Sequence, residues 1–241
     1  MLEAVLFDWG DTLMRWAWDP SLLEAGHRAG LAAIGRGGLP EANTVAARFT
    51  ETYLPFLWLP GAVEEIEYPG LVRELLGHFA VEVTDEELGR FLEAEHEAWS
   101  PARLLGATTH ALLESLRSRG LALGLVSNTF DPPWLLHRDL ERMGIAERLD
   151  VAVFSSEVGK RKPHPEIFER ALGALGVDPR RALFVGDSLV ADVGGAGALG
   201  MTTVQALWFR ADDTPGAPEP DYRAFTHMDV LNVAARLLAA A

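Results

Sequence analysis

The chain has 241 residues, of which 49% are hydrophobic and 23% charged, so it can bury a full core and is not expected to be disordered. Its formal net charge of -14 argues against nucleic acid or an anionic membrane surface as the main partner, but not against a small anionic substrate, because a metal or a lysine can reverse the field inside a cleft. The absence of cysteine excludes disulfide bonds, thiolate zinc sites and a cysteine nucleophile.

The N-terminal residues carry no pattern typical of a secretion signal. Glu3 and Asp8 interrupt the start of the chain, and no small-residue cleavage site follows a long apolar run. The longest uncharged stretch, residues 193–209, is too short and too polar for a membrane span. We therefore expect a cytoplasmic protein that acts on a small anionic molecule and binds neither nucleic acid nor membranes. These patterns do not bear on its oligomeric state.

The first predicted strand, residues 2–7, is apolar and stops at Asp8. A carboxylate at the end of a buried strand is held rigidly and can attack a phosphorus or carbon centre, so Asp8 is a candidate nucleophile. Two positions later, where a second acid would serve to protonate a leaving group, the chain has Gly10.

The interval from Arg15 to Ala102 shows helical spacing and no convincing strand. Its apolar residues recur at helical intervals in three stretches, and Thr84 with Glu87 predicts a capping box at the start of the third. An all-helical block inserted after the first strand predicts a cap, residues 15–102, over a core of residues 1–14 and 103–241. The alternative is an ordinary helical insertion that does not control access to the site.

Short apolar strands and helical segments alternate through the remainder of the chain. The strands are predicted at residues 121–126, 151–154, 183–185 and 203–205, and one helix begins at Pro165 and stops at Gly176. A Pro-rich loop at residues 212–220 precedes a short strand and a last helix. This order predicts an α/β fold, a Rossmann-like parallel sheet with helices on both faces and ligands at the carboxyl ends of the strands.

The basic residues are unevenly chosen. Nineteen are arginine and only two are lysine, Lys160 and Lys162. If a coding bias replaces lysine wherever arginine will serve, the remaining lysines mark places where arginine will not. We expect Lys162 to be functional and Lys160 to be its solvated neighbour.

Four segments carry a resemblance to a known family. They read FDWGDTL at residues 7–13, LVSNT at 125–129, KRKPHPEIF at 160–168 and FVGDSLVADVGGAGALGM at 184–201. In this order the segments resemble the haloacid dehalogenase superfamily of hydrolases, in the branch that carries a helical cap after the first strand. Together they cover most of the chain outside the cap.

The resemblance implies a role for each matching residue. Asp8 would form a covalent aspartyl intermediate, and Lys162 would hold it beside a phosphoryl group whose oxygens are bound by Ser127, Asn128 and Thr12. Carboxylates and backbone carbonyls suit Mg2+. The implied ligands are Asp8, Asp187 and the carbonyl of Gly10, with Asp192 and Ser188 behind them.

Gly10 is the departure from the family pattern, which has an acid at that position. Its carbonyl remains for the metal, but general acid–base catalysis is lost, and a positioned acid is worth about 10²–10⁴ in rate. Asp11 lies one residue out of register on a tight turn, so we expect its carboxylate to point elsewhere. An aryl phosphate, acyl phosphate or nucleotide pyrophosphate needs less help than an alkyl ester.

Three functions fit these residues. The first is a Mg2+-dependent phosphohydrolase that is weak or selective for good leaving groups. The second is a 2-haloacid dehalogenase-type hydrolase, because halide leaves unprotonated, although relatives with that activity do not keep the metal-binding GDSxxxD segment. The third is a phosphate- or metal-binding module without catalysis.

Aromatic residues are frequent near the start of the cap and within it. They are Trp16, Trp18, Tyr53, Phe56 and Trp58. They predict either an apolar wall of the site or an ordinary helical core, and the spacing alone does not separate the two.

Overall fold

A computed structural model describes residues 1–57 and 61–240 of the chain. These residues form eight β-strands and eleven α-helices. In chain order the elements are β1 (Ala4–Phe7), β2 (Met14–Trp16), α1 (Ser21–Ile34), α2 (Ala42–Thr52), α3 (Leu54–Leu57), α4 (Tyr68–Gly77), α5 (Asp85–Ala98), β3 (Arg103–Leu105), α6 (Thr109–Arg117), β4 (Ala122–Ser127), α7 (Pro133–Arg142), β5 (Val151–Phe154), α8 (Ser155–Val158), α9 (Pro165–Leu175), β6 (Ala182–Gly186), α10 (Gly195–Ala198), β7 (Thr202–Ala206), β8 (Tyr222–Ala224) and α11 (His227–Ala239). None of the helices in the described ranges combines the length and the apolar content that a membrane span requires.

In the described part of the chain, six strands form one parallel sheet in the order β5-β4-β1-β6-β7-β8. The central strand β1 is buried throughout because both faces are covered. Val5 and Phe7 pack on the side of α6 and α11, and Ala4 and Leu6 pack on the side of α9. The predicted Rossmann-like α/β fold is confirmed, and the five longer predicted strands differ from the observed bounds by at most two residues at either end.

The predicted helix ends are also observed. The side chain of Thr84 accepts from the N–H of Glu87, and the Glu87 carboxylate accepts from the N–H of Thr84, so a capping box starts α5. Gly176 ends α9 in the left-handed region, with a φ of 67°, which costs glycine less than any other residue.

The helices α1 to α5 have a hydrophobic core of their own. It contains Phe49, Tyr68, Leu75 and Phe91, all nearly inaccessible to solvent. An all-helical unit with a separate core is what a cap would require. The predicted boundaries, residues 15–102 for the cap and 1–14 with 103–241 for the core, stay a prediction.

The expectation that the interval from Arg15 contains no strand is wrong at its N-terminal end. Strand β2 pairs antiparallel with β3, so that Arg15 lies opposite Leu104 and Trp16 opposite Arg103. Three residues are too few to produce a strand period, and the partner strand lies more than eighty residues further along the chain. The ribbon formed by β2 and β3 is where the chain enters and leaves the helical unit.

Helices α1 and α5 approach closely because of a glycine. A Cβ at Gly30 would lie 2.7 Å from the ring of Phe91, whereas a Cβ at Gly89 in α5 would meet no described atom within 4 Å. We expect Gly30→Ala to destabilise the protein by about 1–3 kcal/mol through overpacking. Gly89→Ala should instead stabilise it by about 0.5–1 kcal/mol, because alanine loses less backbone entropy in a helix. Urea unfolding of both variants measures the two effects, and equal shifts would contradict the close approach.

Candidate active site

Three predicted site residues lie at the carboxyl ends of neighbouring strands. Asp8 follows β1, Ser127 is the last residue of β4, and Asp187 follows β6. Because these strands are parallel and adjacent, their ends lie side by side. The backbone N–H of Asp8 donates to the carbonyl of Val185 at 2.9 Å, which ties the first turn to the neighbouring strand.

Lys162 lies between two of the acids and is only 3% exposed. Its Nζ atom is 2.5 Å from Asp8 Oδ1, 2.7 Å from Asp192 Oδ1 and 2.8 Å from the carbonyl oxygen of Val126. An ammonium carries three donors on one atom, and here it donates to Asp8 and to the Val126 carbonyl and lies at ion-pair distance from Asp192. The planar fork of arginine cannot converge its donors on one point in this way, which explains why lysine is kept.

The side chain of Asn128 binds the backbone of Lys162. Its Oδ1 accepts from the Lys162 N–H at 2.7 Å, and its Nδ2 donates to the Lys162 carbonyl at 3.0 Å. The sequence predicted Asn128 as a substrate ligand, which stays a prediction; in the structure its amide holds the backbone of Lys162. Ser127 is buried beside Asn128, and both residues line a cavity at this edge of the sheet.

Thr12 differs from Ser127 and Asn128, the other two predicted phosphoryl ligands, in its surroundings. It is fully buried, does not line the cavity, and its Oγ1 has no hydrogen-bond partner among the described residues. Asp11 lines the cavity, but its Oδ1 accepts from the backbone N–H of Trp16 at 3.0 Å. Asp11 has a φ of 56°, a left-handed conformation that aspartate tolerates better than most residues.

The carboxylates of Asp8, Asp187 and Asp192 form a compact acidic group, with one oxygen of each within 4.8 Å of the others. Burial raises the pKa of Asp8 to about 6, with Lys162 opposing the rise and Asp192 adding to it. Burial also raises the pKa of Asp187 to about 8, and the charges of Asp192 and Asp8 add to that rise. Carboxylates that raise one another's pKa in this way are suited to share a divalent cation such as Mg2+, whose charge favours their ionised forms. Gly10, whose carbonyl is the remaining predicted ligand, lines the same cavity.

Ser188 caps a short π-helix, Leu189–Gly194, that follows β6, and Asp192 lies within it. Oδ2 of Asp192 accepts from the N–H of Ser188 at 3.0 Å, and Oγ of Ser188 accepts from the N–H of Ala191 at 3.2 Å. Asp192 therefore joins this π-helix to Lys162.

Arg210 is a site residue that the sequence did not predict. It belongs to the loop after β7, and its Nε atom is 2.6 Å from Asp187 Oδ2. It offsets part of the acidic charge and competes with a cation for that oxygen. An arginine in a loop of unpredicted path carries no sequence signal that separates it from the other eighteen.

The site opens into a cavity of about 360 Å³ that is lined by both the core and the helical unit. Of the predicted aromatic residues, Trp16 and Trp18 line this cavity, Tyr53 is buried in the core of the helices, and Phe56 is exposed. Trp58 lies outside the described residues. Trp16 and Trp18 therefore fit the predicted wall of the site and Tyr53 fits the predicted helical core, whereas Phe56 fits neither.

A seam of backbone hydrogen bonds joins the helical unit to the core beside the cavity. The N–H of Glu65 donates to the carbonyl of Gly159 at 3.0 Å, and the N–H of Arg161 donates to the carbonyl of Val63 at 2.8 Å. Lys160, predicted as a solvated neighbour of Lys162, pairs with Glu64 across this seam.

A second connection is ionic and buried. His96 Nε2 in α5 lies 2.9 Å from Asp139 Oδ2 in α7, and Arg103 donates to the carbonyl of His96 at 2.9 Å. Asp131, which lines the cavity, is 3.4 Å from His96 Nδ1. This network could not be predicted from the sequence, because its members lie up to 43 residues apart and belong to no common motif.

Comparison with known proteins assigns the family. A sequence profile described as haloacid dehalogenase-like hydrolase matches residues 2–200. The chain belongs to the haloacid dehalogenase-like hydrolases. It is 30% identical over 208 residues to a glyceraldehyde 3-phosphate phosphatase from Methanopyrus kandleri, covering 85% of this chain and 84% of that protein. It is 41% identical to a phosphoserine phosphatase from Thermus thermophilus, over 47% of this chain and 44% of that one.

Solved structures share the fold of this hydrolase. A haloacid dehalogenase-like phosphatase from Thermococcus onnurineus is similar with a TM-score of 0.66 at 24% identity, over 97% of this chain and 98% of that one. A 2-haloacid dehalogenase from Pseudomonas syringae is similar with a TM-score of 0.68 at 23% identity, over 98% and 99% of the two chains. Since a phosphatase and a dehalogenase fit equally well, the fold alone does not choose between the two reactions.

The two hydrogen bonds between the Asn128 amide and the Lys162 backbone should stabilise the fold. We expect Asn128→Ala to lower the free energy of unfolding by about 1–3 kcal/mol, because two hydrogen bonds to the Lys162 backbone are lost. Asn43→Ala, at an exposed position in α2, should change it by less than about 0.5 kcal/mol. Urea denaturation measures both, and equal effects would contradict the positioning role.

The acidic group should bind Mg2+ in the folded state. A ligand at 100 times its Kd stabilises the folded state by about 2.7 kcal/mol, so Mg2+ should raise the Tm of the wild type. Asp187→Asn should lose most of this rise, because one charged ligand is gone. Asp213→Asn, at an exposed position outside the cavity, should keep it. Differential scanning calorimetry with and without Mg2+ checks the three proteins, and an unchanged rise in Asp187→Asn would place the ion elsewhere.

Proposed function

We propose that this hydrolase is a Mg2+-dependent phosphohydrolase that cleaves a small phosphate monoester through a phosphorylated Asp8. The observation that supports this most is the contact of Lys162 Nζ with Asp8 and Asp192 at the strand ends where Asp187 also lies. A buried cation beside a strand-terminal carboxylate brings together the two charges that phosphoryl transfer needs. The relatives named as phosphatases support the same reaction class.

In the proposed reaction an oxygen of Asp8 attacks the phosphorus, and the bond from phosphorus to the ester oxygen breaks with both electrons going to that oxygen. Lys162 offsets the repulsion between the carboxylate and the phosphoryl oxygens. The Ser127 hydroxyl, at the end of β4, is the proposed donor to one of these oxygens. Water then cleaves the phosphorus–oxygen bond to Asp8 and releases phosphate.

The acidic group also bears on the choice between the predicted reactions. When bound by Asp8, Asp187 and the Gly10 carbonyl, a divalent cation would stabilise negative charge on the phosphoryl oxygens. Displacement of a halide from carbon needs no such cation, and the cluster of three carboxylates would then only repel an anionic substrate. The cluster therefore supports phosphoryl transfer over dehalogenation.

Two assays test the proposal. The wild type should release phosphate from p-nitrophenyl phosphate with Mg2+ and not with EDTA, because the cation offsets the charge of the phosphoryl group. Asp8→Asn should reduce release to background, since an amide is not a nucleophile here, whereas Asp213→Asn should keep full activity. Halide release from 2-chloropropionate without metal would favour the dehalogenase, and inactivity in both assays would favour a binding module.

A further inference from the structure

We infer that the preferred substrate is an aryl monophosphate, in which the phosphate is esterified to a phenol-like ring that carries no second anionic group. This inference rests on the proposed phosphohydrolase activity and adds the chemistry of the organic part. Three independent features of the site support it: the residue at position 10, the aromatic wall of the cavity, and the pairing of its arginines.

The glycine at position 10 is not required by packing or by the backbone. A Cβ there would meet no described atom within 4 Å, and Gly10 is not among the residues with positive φ. An acid would fit, yet the position supplies no proton, and the neighbouring Asp11 is turned towards the N–H of Trp16. The site therefore lacks a built donor for the leaving oxygen at this turn.

A leaving group that departs as an anion does not need that donor. The phenol of tyrosine has a pKa of about 10, whereas water, which resembles an alkanol in this respect, has a pKa of about 15.7. When the phosphorus–oxygen bond of an aryl ester breaks, the electron pair stays on the phenolate oxygen, which takes its proton from water afterwards. An alkyl ester would have to expel an alkoxide, which is far less stable.

Several of the residues that line the cavity are aromatic. The rings of Trp16 and Trp18 stack with centroids 5.7 Å apart and an interplanar angle of 16°, and Trp18 meets Trp99 edge to face at 5.6 Å. Phe49 and Phe130 line the same cavity. Aromatic rings prefer stacked and edge-to-face neighbours at these distances, so a wall of this kind suits a flat apolar ring.

The arginines of the cavity are already paired, among the residues that the structure describes. Arg103 lies 3.3 Å from Asp139, Arg161 lies 3.7 Å from Glu65, and Arg210 pairs with Asp187. Asp131 adds a further negative charge to the lining. A second phosphate or a carboxylate on the substrate would have to compete with Asp139 for Arg103 and with Glu65 for Arg161, which disfavours bisphosphates and pyrophosphates.

Matched substrates separate the leaving group from the ring. Phenyl phosphate and benzyl phosphate differ by one methylene, which changes the leaving group from phenolate to alkoxide. With Mg2+ and wild-type protein, we expect kcat/KM to be at least about 10²-fold higher for phenyl phosphate. Gly10→Asp should raise kcat/KM for benzyl phosphate about 10-fold or more and change that for phenyl phosphate much less. Equal kcat/KM for the two esters in the wild type would overturn the inference.

A second comparison tests the ring. Acetyl phosphate has a good leaving group and no ring. Trp18→Leu should raise the KM for phenyl phosphate about 2- to 10-fold and leave that for acetyl phosphate unchanged. Trp134→Leu is the matched control, because Trp134 is 48% exposed on α7 and does not line the cavity. An unchanged KM for phenyl phosphate in Trp18→Leu would overturn recognition of the ring.

The outcomes also distinguish this inference from the proposed function. If none of these substrates gives phosphate release that depends on Asp8, the phosphohydrolase activity itself fails, and the inference fails with it. If release depends on Asp8 but shows no preference for the phenolate or for the ring, only the inference fails.

Discussion

The buried contact of Lys162 with Asp8 and Asp192 is the constraint on which the rest of the site depends. Burying three charges is costly unless each is paired and hydrogen-bonded. Burial works to lower the pKa of Lys162, but Asp192 and Asp8 raise it above its ordinary value, so the ammonium stays charged. The parallel strands hold Asp8 at one end of this contact, and Asn128 holds the backbone of the lysine at the other. A small shift of either would leave buried charge without a partner.

The sequence predicted those parts of the site that a single strand end fixes. An apolar strand that stops at Asp8 or before Asp187 predicts both the strand and the position of the carboxylate, because parallel strands end at one edge of the sheet. The low lysine count singled out Lys162. What could not be predicted depends on pairs far apart in the chain, such as Asn128 with Lys162 or Asp187 with Arg210. The local periodicity of the sequence carries no information on which loop lies beside which strand end.

The aromatic residues of the helical unit show a second limit of prediction from sequence. Helical spacing left open whether its aromatic residues form a core or line the site, because both arrangements produce the same period. The wall formed by Trp16, Trp18 and Trp99 is assembled from the entrance of the unit and the end of α5, which the ribbon of β2 and β3 brings together. That ribbon is too short to recognise from sequence. The substrate-facing surface is thus the part of the site that sequence patterns specify least.

Glycine at position 10 removes a negative charge from the site as well as a proton donor. The three carboxylates of the site outnumber the described cations that contact them, which are Lys162 and Arg210. The pKa values of Asp8 and Asp187 are raised because burial and the neighbouring carboxylates disfavour ionisation. A further carboxylate at position 10 would add repulsion towards a phosphate dianion. Its absence favours binding of the phosphate and disfavours expulsion of a poor leaving group. Such a site requires a substrate whose leaving group departs as a stable anion, and the aromatic residues that line the cavity suit the ring of a phenolate.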